Sequence, residues 1–402
     1  MKILILCNKS PYPPKEGGPI AMNAIIDGLY QAGHQVKVLA INSNKYSIDV
    51  DDLPKSYRQK TNIETVYIDL SIKLMDAFFN LFTGKSYHVE RFISKDFEKK
   101  LIEILEADDY DIVQFEMLYM SPYIDLIRKY SKAKVVLRSH NIEHLIWERV
   151  AGISKNPLKK IYLKHLAKTL KNYELKMLNQ YDGIATITKK DGETMKELGC
   201  QIPQIDIPFG IDLSTLKENP GIEAEFPSLF HLGAMNWMPN EEGIKWFLSE
   251  VWPMVNKELP DLKLYLAGRH MPDWICNTTL PNIEVTGEVD DAFEFMYSKA
   301  IEIVPLFSGS GIRIKIIEGM AAEKAVISTS IGAEGIKVES GKNIIIANTP
   351  ETFAEAIKTL VSDKEHCKTL GENARKLIEK DHDNKKLIHR LENFYQEIMT
   401  NK

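Results

Sequence analysis

Short apolar runs alternate with longer amphipathic stretches along almost the whole chain. Residues 3–7, 36–41, 112–115, 135–137 and 184–187 read as buried strands, being short, apolar and rich in Ile, Val and Leu. Between them, 21–32 and 97–106 are of helix length and amphipathic. This alternation predicts a parallel sheet covered on both faces, because each helical crossover returns the chain to the same end of the sheet. The pattern breaks at Ile205-Asp206-Ile207-Pro208-Phe209-Gly210-Ile211-Asp212, where Pro and Gly punctuate the chain without a helical period. It then restarts. Residues 229–232, 262–267, 283–285, 301–304, 325–328 and 344–346 read as a second set of strands, with 353–360 and 364–379 as helices. The expected architecture is α/β, two doubly wound halves over 1–207 and 208–385, followed by a last segment, 386–402. Ligands in such sheets sit beyond the C-terminal ends of strands, so a cleft between the halves is the expected site.

Length agrees with this division, since 402 residues suit two cores of roughly 200 residues each. The formal net charge of -5 argues against a dedicated duplex nucleic-acid binder. Cys7, Cys200, Cys276 and Cys367 lie far apart, without zinc spacing, and read as small buried residues in a reducing compartment. No stretch approaches the ~18 apolar residues of a spanning helix. The chain is therefore expected in the cytoplasm, at most attached to the inner face of a membrane. One segment supports such attachment. Between Arg149 and Lys176 lie Lys155, Lys159, Lys160, Lys164, Lys168 and Lys171, against Glu174 alone. This run reads either as a solvated helix face or as a contact for anionic lipid.

The strongest chemical signal follows the strand at 301–304. There the sequence runs Pro305-Leu306-Phe307-Ser308-Gly309-Ser310-Gly311-Ile312-Arg313-Ile314-Lys315-Ile316-Ile317-Glu318. Its Gly and Ser residues let backbone approach a ligand closely. A helix expected over 312–322 would turn free N–H groups and its dipole toward an anion. Arg313 and Lys315 add positive charge, and Glu318 is placed to accept from a pair of sugar hydroxyls. Neither a Walker A loop nor a Gly-x-Gly-x-x-Gly after the first strand is present.

Two further features follow strands of the first half. Gly17 and Gly18 stand before a helix expected from residue 20, at the C-terminal side of the first strand. His140 follows the strand at 135–137, where an imidazole can donate to a sugar hydroxyl or a departing phosphate. Glu116 is a positional candidate for contact with an acceptor.

These features, in this order, resemble the retaining glycosyltransferases of glycosyltransferase family 4, over nearly the whole chain. The resemblance implies the GT-B fold, two Rossmann-like domains facing across a cleft, with the first holding the acceptor and the second the nucleotide-sugar. It implies that the last helix, with Tyr395, crosses back onto the first domain. Phe230 to Asn240 is similar to the family's first strand and loop of the second domain, including Gly233, with Asn236 near its usual Arg. Gly268 matches the glycine by the nucleotide, and Gly287 and Val289 the segment that meets the base. Glu318 matches the second glutamate of the family's Glu-x7-Glu motif, which holds the ribose. Ser310 occupies the place of the first, which touches the donor sugar. The loop Gly309, Ser310, Gly311, Ile312, Arg313 resembles that of a sub-branch in which Arg313 or Lys315 meets the pyrophosphate. His140 matches the histidine at the donor sugar, and Gly17 and Gly18 the N-terminal glycine loop.

The implied activity is transfer of a sugar from a nucleoside diphosphate sugar to a hydroxyl of a glycan or lipid-linked acceptor, in surface polysaccharide or oligosaccharide biosynthesis. With no Asp-x-Asp motif evident at the site, the transfer is expected to be metal-independent and to use no cofactor. Two alternatives keep the same loop: a non-hydrolysing nucleotide-sugar epimerase, and a non-catalytic nucleotide-sugar-binding protein.

Overall fold

The computed structural model describes residues 1–14, 16–71, 75, 80–81, 83–216, 221–309 and 311–400, so Ser310 lies outside the described residues. In chain order the first elements are β1 (Lys2–Cys7), α1 (Gly17–Gln31), β2 (Gln35–Ser43), α2 (Lys55–Thr61), β3 (Glu64–Ile68), α3 (Tyr87–Glu90) and α4 (Lys95–Ala107). There follow β4 (Ile112–Glu116), α5 (Ile124–Tyr130), β5 (Lys134–Ser139), α6 (Glu143–Ile153), α7 (Pro157–Met177), β6 (Gly183–Thr186), α8 (Lys189–Glu197) and β7 (Gln204–Asp206). The second half begins with β8 (Ser228–Leu232), α9 (Met238–Trp246), α10 (Trp252–Glu258), β9 (Lys263–Ala267), α11 (Asp273–Cys276), β10 (Ile283–Gly287) and α12 (Ala292–Tyr297). It ends with β11 (Ile301–Val304), α13 (Ile314–Ala321), β12 (Ala325–Ser328), β13 (Ile345–Ile346), α14 (Pro350–Ser362), α15 (Lys364–Asp381) and α16 (Asn384–Thr400).

These elements form two compact units. One is Met1–Gly210 with Asn384–Lys402, the other Ile211–Asp383. The divisions expected from sequence stood at 207/208 and 385/386, a few residues away. The two crossings of the chain run side by side, with Ile211 N–H donating to the His382 carbonyl at 2.8 Å.

In the first unit a seven-stranded parallel sheet has the order β3-β2-β1-β4-β5-β6-β7. Its central strands are apolar throughout because both faces are covered. Ile3, Ile5 and Cys7 point into a core shared with α1 and α16, while Leu4 and Leu6 point into the other, beneath α4 and α7. In α16, Leu387, Ile388, Leu391, Phe394, Tyr395 and Ile398 recur at helical spacing and are all buried in the first of these cores. β3 and β7 escape the apolar-run reading because they are edge strands whose residues are mostly half-buried. Such strands carry no continuous apolar signal.

In the second unit six parallel strands run β10-β9-β8-β11-β12-β13. Phe247, Trp252, Phe353 and Leu360 fill the core on one face. α14 begins at a capping box, Thr349 with Thr352, and Pro350 takes the first helical position, where its missing N–H costs nothing. Of the four cysteines expected to be buried, Cys7 and Cys367 are, Cys200 is half-buried and Cys276 is exposed. The last two lie outside the strand cores, Cys276 at the end of the short surface helix α11.

Truncating Leu391 to Ala should destabilise the first unit by about 2–5 kcal/mol, the cost of a buried cavity. A urea midpoint unchanged from wild type would show that α16 adds nothing to that core.

Candidate functional site

In both units the order of strands reverses beside the first strand: β1 lies between β2 and β4, and β8 between β9 and β11. At such a point the loops after neighbouring strands diverge and leave a crevice at the carboxyl ends. The candidate residues gather there in each unit.

In the second unit, glycines follow three adjacent strands. Gly233 follows β8, Gly268 follows β9, and Gly287 closes β10. They are tied edge to edge: Gly233 N–H donates to the Ala267 carbonyl at 3.0 Å and Gly268 N–H to the Gly287 carbonyl at 2.7 Å. Gly268 has φ +137°, and a Cβ there would fall on the backbone of Gly233. A Cβ at Gly233 would in turn strike the Lys315 ammonium and the Asn240 amide. The floor of the crevice is therefore bare backbone because two layers of backbone and one half-buried cation leave no room for side chains.

The cation is the centre of the site. α13 begins at Ile314 with Arg313 as its N-cap, two residues later than expected, and no side chain caps its free N–H groups. Lys315, in its first turn, donates to Asn240 Oδ1 at 2.9 Å and lies 3.2 Å from His231 Nε2. His231 Nδ1 is 2.9 Å from the Ile303 carbonyl, which can only accept. The ring is therefore the neutral Nδ1–H tautomer, and Nε2 accepts from the lysine. Burial, then the adjacent Lys315, hold His231 well below its ordinary pKa, in keeping with that tautomer. The Asn240 Nδ2 donates to the Ala234 carbonyl at 2.8 Å, which turns its oxygen toward the lysine. Burial lowers the Lys315 pKa, and Glu302 and Glu318 oppose that shift.

Two carboxyls stand in the field of this lysine. Glu302, in the middle of β11, is fully buried and neither oxygen has a hydrogen-bond partner among the described residues. Burial raises its pKa. Glu318 is one turn along α13 and half-buried, and burial raises it to about 7 against the pull of Lys315. Arg313 is buried, folds Nη1 back onto the Gly311 carbonyl, and lies with its guanidinium carbon 5.6 Å from the Trp237 ring centroid. Gly309 and Gly311 take φ +109° and +77°, which the tight loop requires. Asn236 is exposed, and Ile312 and Val289 are half-buried at the margin.

In the first unit, Gly17 and Gly18 are not a loop before a helix but the first two residues of α1, with Glu16 as N-cap. Lys9 lies against them: a Cβ on Gly18 would sit 3.2 Å from its Cε. His140 follows β5, and its Nε2 is 2.6 Å from Glu116 Oε2, with Arg138 Nη1 3.0 Å from the same oxygen. Burial would raise Glu116, but Arg138 and His140 outweigh it and hold the carboxyl below its ordinary pKa. Glu116 is fully buried and engaged on both oxygens, Oε1 taking the Gln114 amide at 2.6 Å. It is thus a support for His140 and not an acceptor contact, contrary to the positional expectation. The chain of bonds continues from Gln114 Oε1 to the Tyr395 hydroxyl on α16. Burial, with Arg138 beside it, lowers the His140 pKa although the Glu116 hydrogen bond pulls the other way. The neutral ring gives its Nε2 proton to Glu116, which leaves Nδ1 as an acceptor. His140 is consequently suited to accept from a sugar hydroxyl, where sequence suggested a donor.

His231, Asn240 and Glu302 were not singled out from sequence. Only Glu302 left a trace there, a carboxylate inside the apolar run Ile301-Glu302-Ile303-Val304.

Comparison with known proteins gives the fold and a family match for part of the chain. Residues 226–363 match the model of a family described as Glycosyl transferases group 1. A protein of Klebsiella pneumoniae, described as an uncharacterized 44.6 kDa protein in cps region, is 26% identical over 401 residues, 96% of this chain and 98% of that one. An uncharacterized glycosyltransferase of Methanocaldococcus jannaschii is 34% identical over 128 residues, 31% of this chain and 35% of its own. Among solved structures, sucrose-phosphate synthase from Thermosynechococcus elongatus superposes with a TM-score of 0.70 at 13% identity, covering 100% of both chains. HepE of Anabaena, in complex with UDP and glucose, superposes with a TM-score of 0.66 at 14% identity, covering 99% of this chain and 100% of that one. The fold is GT-B.

The glycine floor makes a prediction. Gly268→Ala combines a strained φ with a backbone collision and should cost about 1–3 kcal/mol. Gly287→Ala, at φ +75° with open space, should cost only the strain, about 1–2 kcal/mol. Equal denaturation midpoints for the two variants would refute the collision.

Proposed function

We propose that this chain, whose residues 226–363 match glycosyl transferases group 1 and whose units have the GT-B fold, moves a sugar from a nucleoside diphosphate sugar to a hydroxyl of a glycan or lipid-linked acceptor. The observation that carries the reading is Lys315. It is an ammonium held in the first turn of a helix, above bare backbone, and its hydrogen-bond acceptors are both neutral. A site of that kind presents a cation and free helix N–H groups at contact range and suits a diphosphate.

Each further residue has a role in this reading. Arg313 and the free N–H groups of α13 share the diphosphate with Lys315. Glu318, ionised, accepts from the two ribose hydroxyls. The backbone from Gly287 to Val289 meets the base, with Gly233, Asn236 and Gly268 along the nucleotide and Gly309, Gly311 and Ile312 closing over it. Ser310 takes the family's sugar-reading position and leaves the identity of the sugar open to test. His140, with Gly17 and Gly18, serves the reacting sugar, and Glu116 and Arg138 orient it.

The barrier lies in breaking the bond from the anomeric carbon to the leaving phosphate oxygen, which takes the electron pair. In this reading Lys315 and the helix N–H groups stabilise the charge as it develops, and Arg313 joins them by leaving the Gly311 carbonyl. The acceptor hydroxyl attacks the same carbon and gives its proton to the departing diphosphate, which accounts for retention without a protein nucleophile. The positive charge comes from the chain itself, which is why we read the transfer as metal-independent. A surface polysaccharide or oligosaccharide lipid is the acceptor class proposed.

Ligand-induced thermal shifts across nucleotide-sugars test the donor first, with UDP-sugars at the head because the neighbour HepE was crystallised with UDP and glucose. Lys315→Met should weaken donor binding about 10- to 100-fold, the worth of a hydrogen bond to a charged group. Wild-type affinity in that variant would remove the reading. Glu318 is protonated below about pH 7 and ionised above it. Donor kcat/KM should therefore rise as pH rises through that value, and Glu318→Gln should flatten the rise. A profile identical in both proteins would refute the ribose role.

A further inference from the structure

The basic segment between Arg149 and Lys176 is not one helix but a hairpin. α6 and α7 pack along each other and are joined by residues 154–156. Asn156 caps α7 by accepting from Lys159 N–H at 3.1 Å, and Pro157 takes the first helical position. Lys171 reaches Glu148 across the pair at 3.6 Å, and Lys160 Nζ donates to the Gly152 carbonyl at 3.3 Å.

The tip of this hairpin is apolar and open. Ile153, Leu158 and Ile161 are 75%, 78% and 67% exposed, the three most exposed large apolar side chains among the described residues. Nothing in the fold requires them there, since the inner face of α7 is already filled by Leu163, Leu166 and Leu170. Lys155 and Lys159 stand beside the three on the same tip, both exposed. Lys164 and Lys168 continue the outer face of α7, three and seven residues after Ile161. Glu143 and Glu174 are buried, so Glu148 is the one exposed acid of the two helices, and Lys171 pairs it.

We propose that this tip is a membrane anchor. Ile153, Leu158 and Ile161 enter the boundary between headgroups and acyl chains of an anionic bilayer, and Lys155, Lys159, Lys164 and Lys168 hold the headgroups. Aliphatic residues at the centre with a collar of lysines match a surface that is negative outside and apolar within. Lysine stems can lie along the apolar residues while the ammonium groups stay at headgroup level. A second copy docked tip to tip would set these lysines against their own equivalents, a like-charge contact. A nucleic acid would be met by aromatic stacking, and the tip presents aliphatic side chains. No helix among the described residues is long and apolar enough to cross a membrane, so the contact is with one leaflet.

Co-sedimentation of the full chain with vesicles tests this. Binding is expected to vesicles mixing phosphatidylglycerol with phosphatidylcholine, to be absent with phosphatidylcholine alone, and to weaken as salt rises. Replacing Ile153, Leu158 and Ile161 together by Ser should weaken binding at least about tenfold. It should leave Tm unchanged, because the removed groups are exposed. Lys159→Glu should cost about fivefold or more at low salt. Tryptophan fluorescence of Leu158→Trp should shift to the blue on adding the anionic vesicles. The proposal is overturned by absence of binding at low salt. It is equally overturned if the triple variant binds as wild type and the Trp does not shift, which would mean surface adsorption only. Self-association that the triple variant abolishes, without vesicle binding, would assign the tip to a second copy. Donor-induced thermal shifts should be the same in all these variants, so this inference and the donor reading fail separately.

Discussion

A half-buried ammonium with no ionic partner at hydrogen-bond distance among the described residues organises the second unit. Lys315 is lined by the backbone of Gly233 and by the side chains of His231 and Asn240. A desolvated charge is costly unless every nearby dipole is turned to it. That requirement accounts for much around it. His231 must be neutral and hold its proton on Nδ1, so its place opposite the Ile303 carbonyl is determined. Asn240 must turn its oxygen inward, so Ala234 must receive its amide. Gly233 cannot carry a side chain, and Gly268 cannot carry one above it. A cluster built around a cation whose direct hydrogen-bond acceptors are neutral is of the kind that suits an anion.

The first unit solves a related problem with charges that are already paired. Glu116 and Arg138 are both fully buried and joined at 3.0 Å, and the pair is tolerable because His140 shares the same carboxylate oxygen and Gln114 satisfies the other. The result is a rigid post under one imidazole, anchored through Gln114 to Tyr395 on the last helix. A ring oriented from beneath in this way is ready before a substrate binds. The return of α16 to the first unit thus closes an apolar core and completes a polar network at the carboxyl ends of β4 and β5 with the same residue.

Charge is segregated across the chain in a way that its net value of -5 conceals. The basic side chains between Arg149 and Lys176 lie on a hairpin whose two other acids are buried, while Arg313 and Lys315 of the second unit lie in a crevice. The first arrangement suits an extended anionic surface, and the second a small anion. The difference is one of desolvation, with exposed lysines acting through a screened field and Lys315 acting at contact.

The alternation of apolar runs and amphipathic stretches determined both parallel sheets, because strands covered on two faces leave a continuous apolar signal. The Gly/Ser loop and the helix start beside Arg313, Lys315 and Glu318 were legible for a similar reason: a turn followed by a helix rests on local spacing. Tertiary structure alone decided the rest. The edge strands β3 and β7 carry no such signal, since half of their surface faces solvent. His231, Asn240 and Gly233 become partners of Lys315 only when β8, α9 and α13 are brought together, at separations of 75 residues and more between lysine and acceptor. Glu116 read as a possible acceptor contact until the fold buried it under His140. The basic run read as a solvated face or a lipid contact, and only the hairpin shows that three exposed aliphatic residues stand at its tip. In each case the deciding quantity is burial, which is set by contacts distant in sequence and cannot be read from neighbours along the chain.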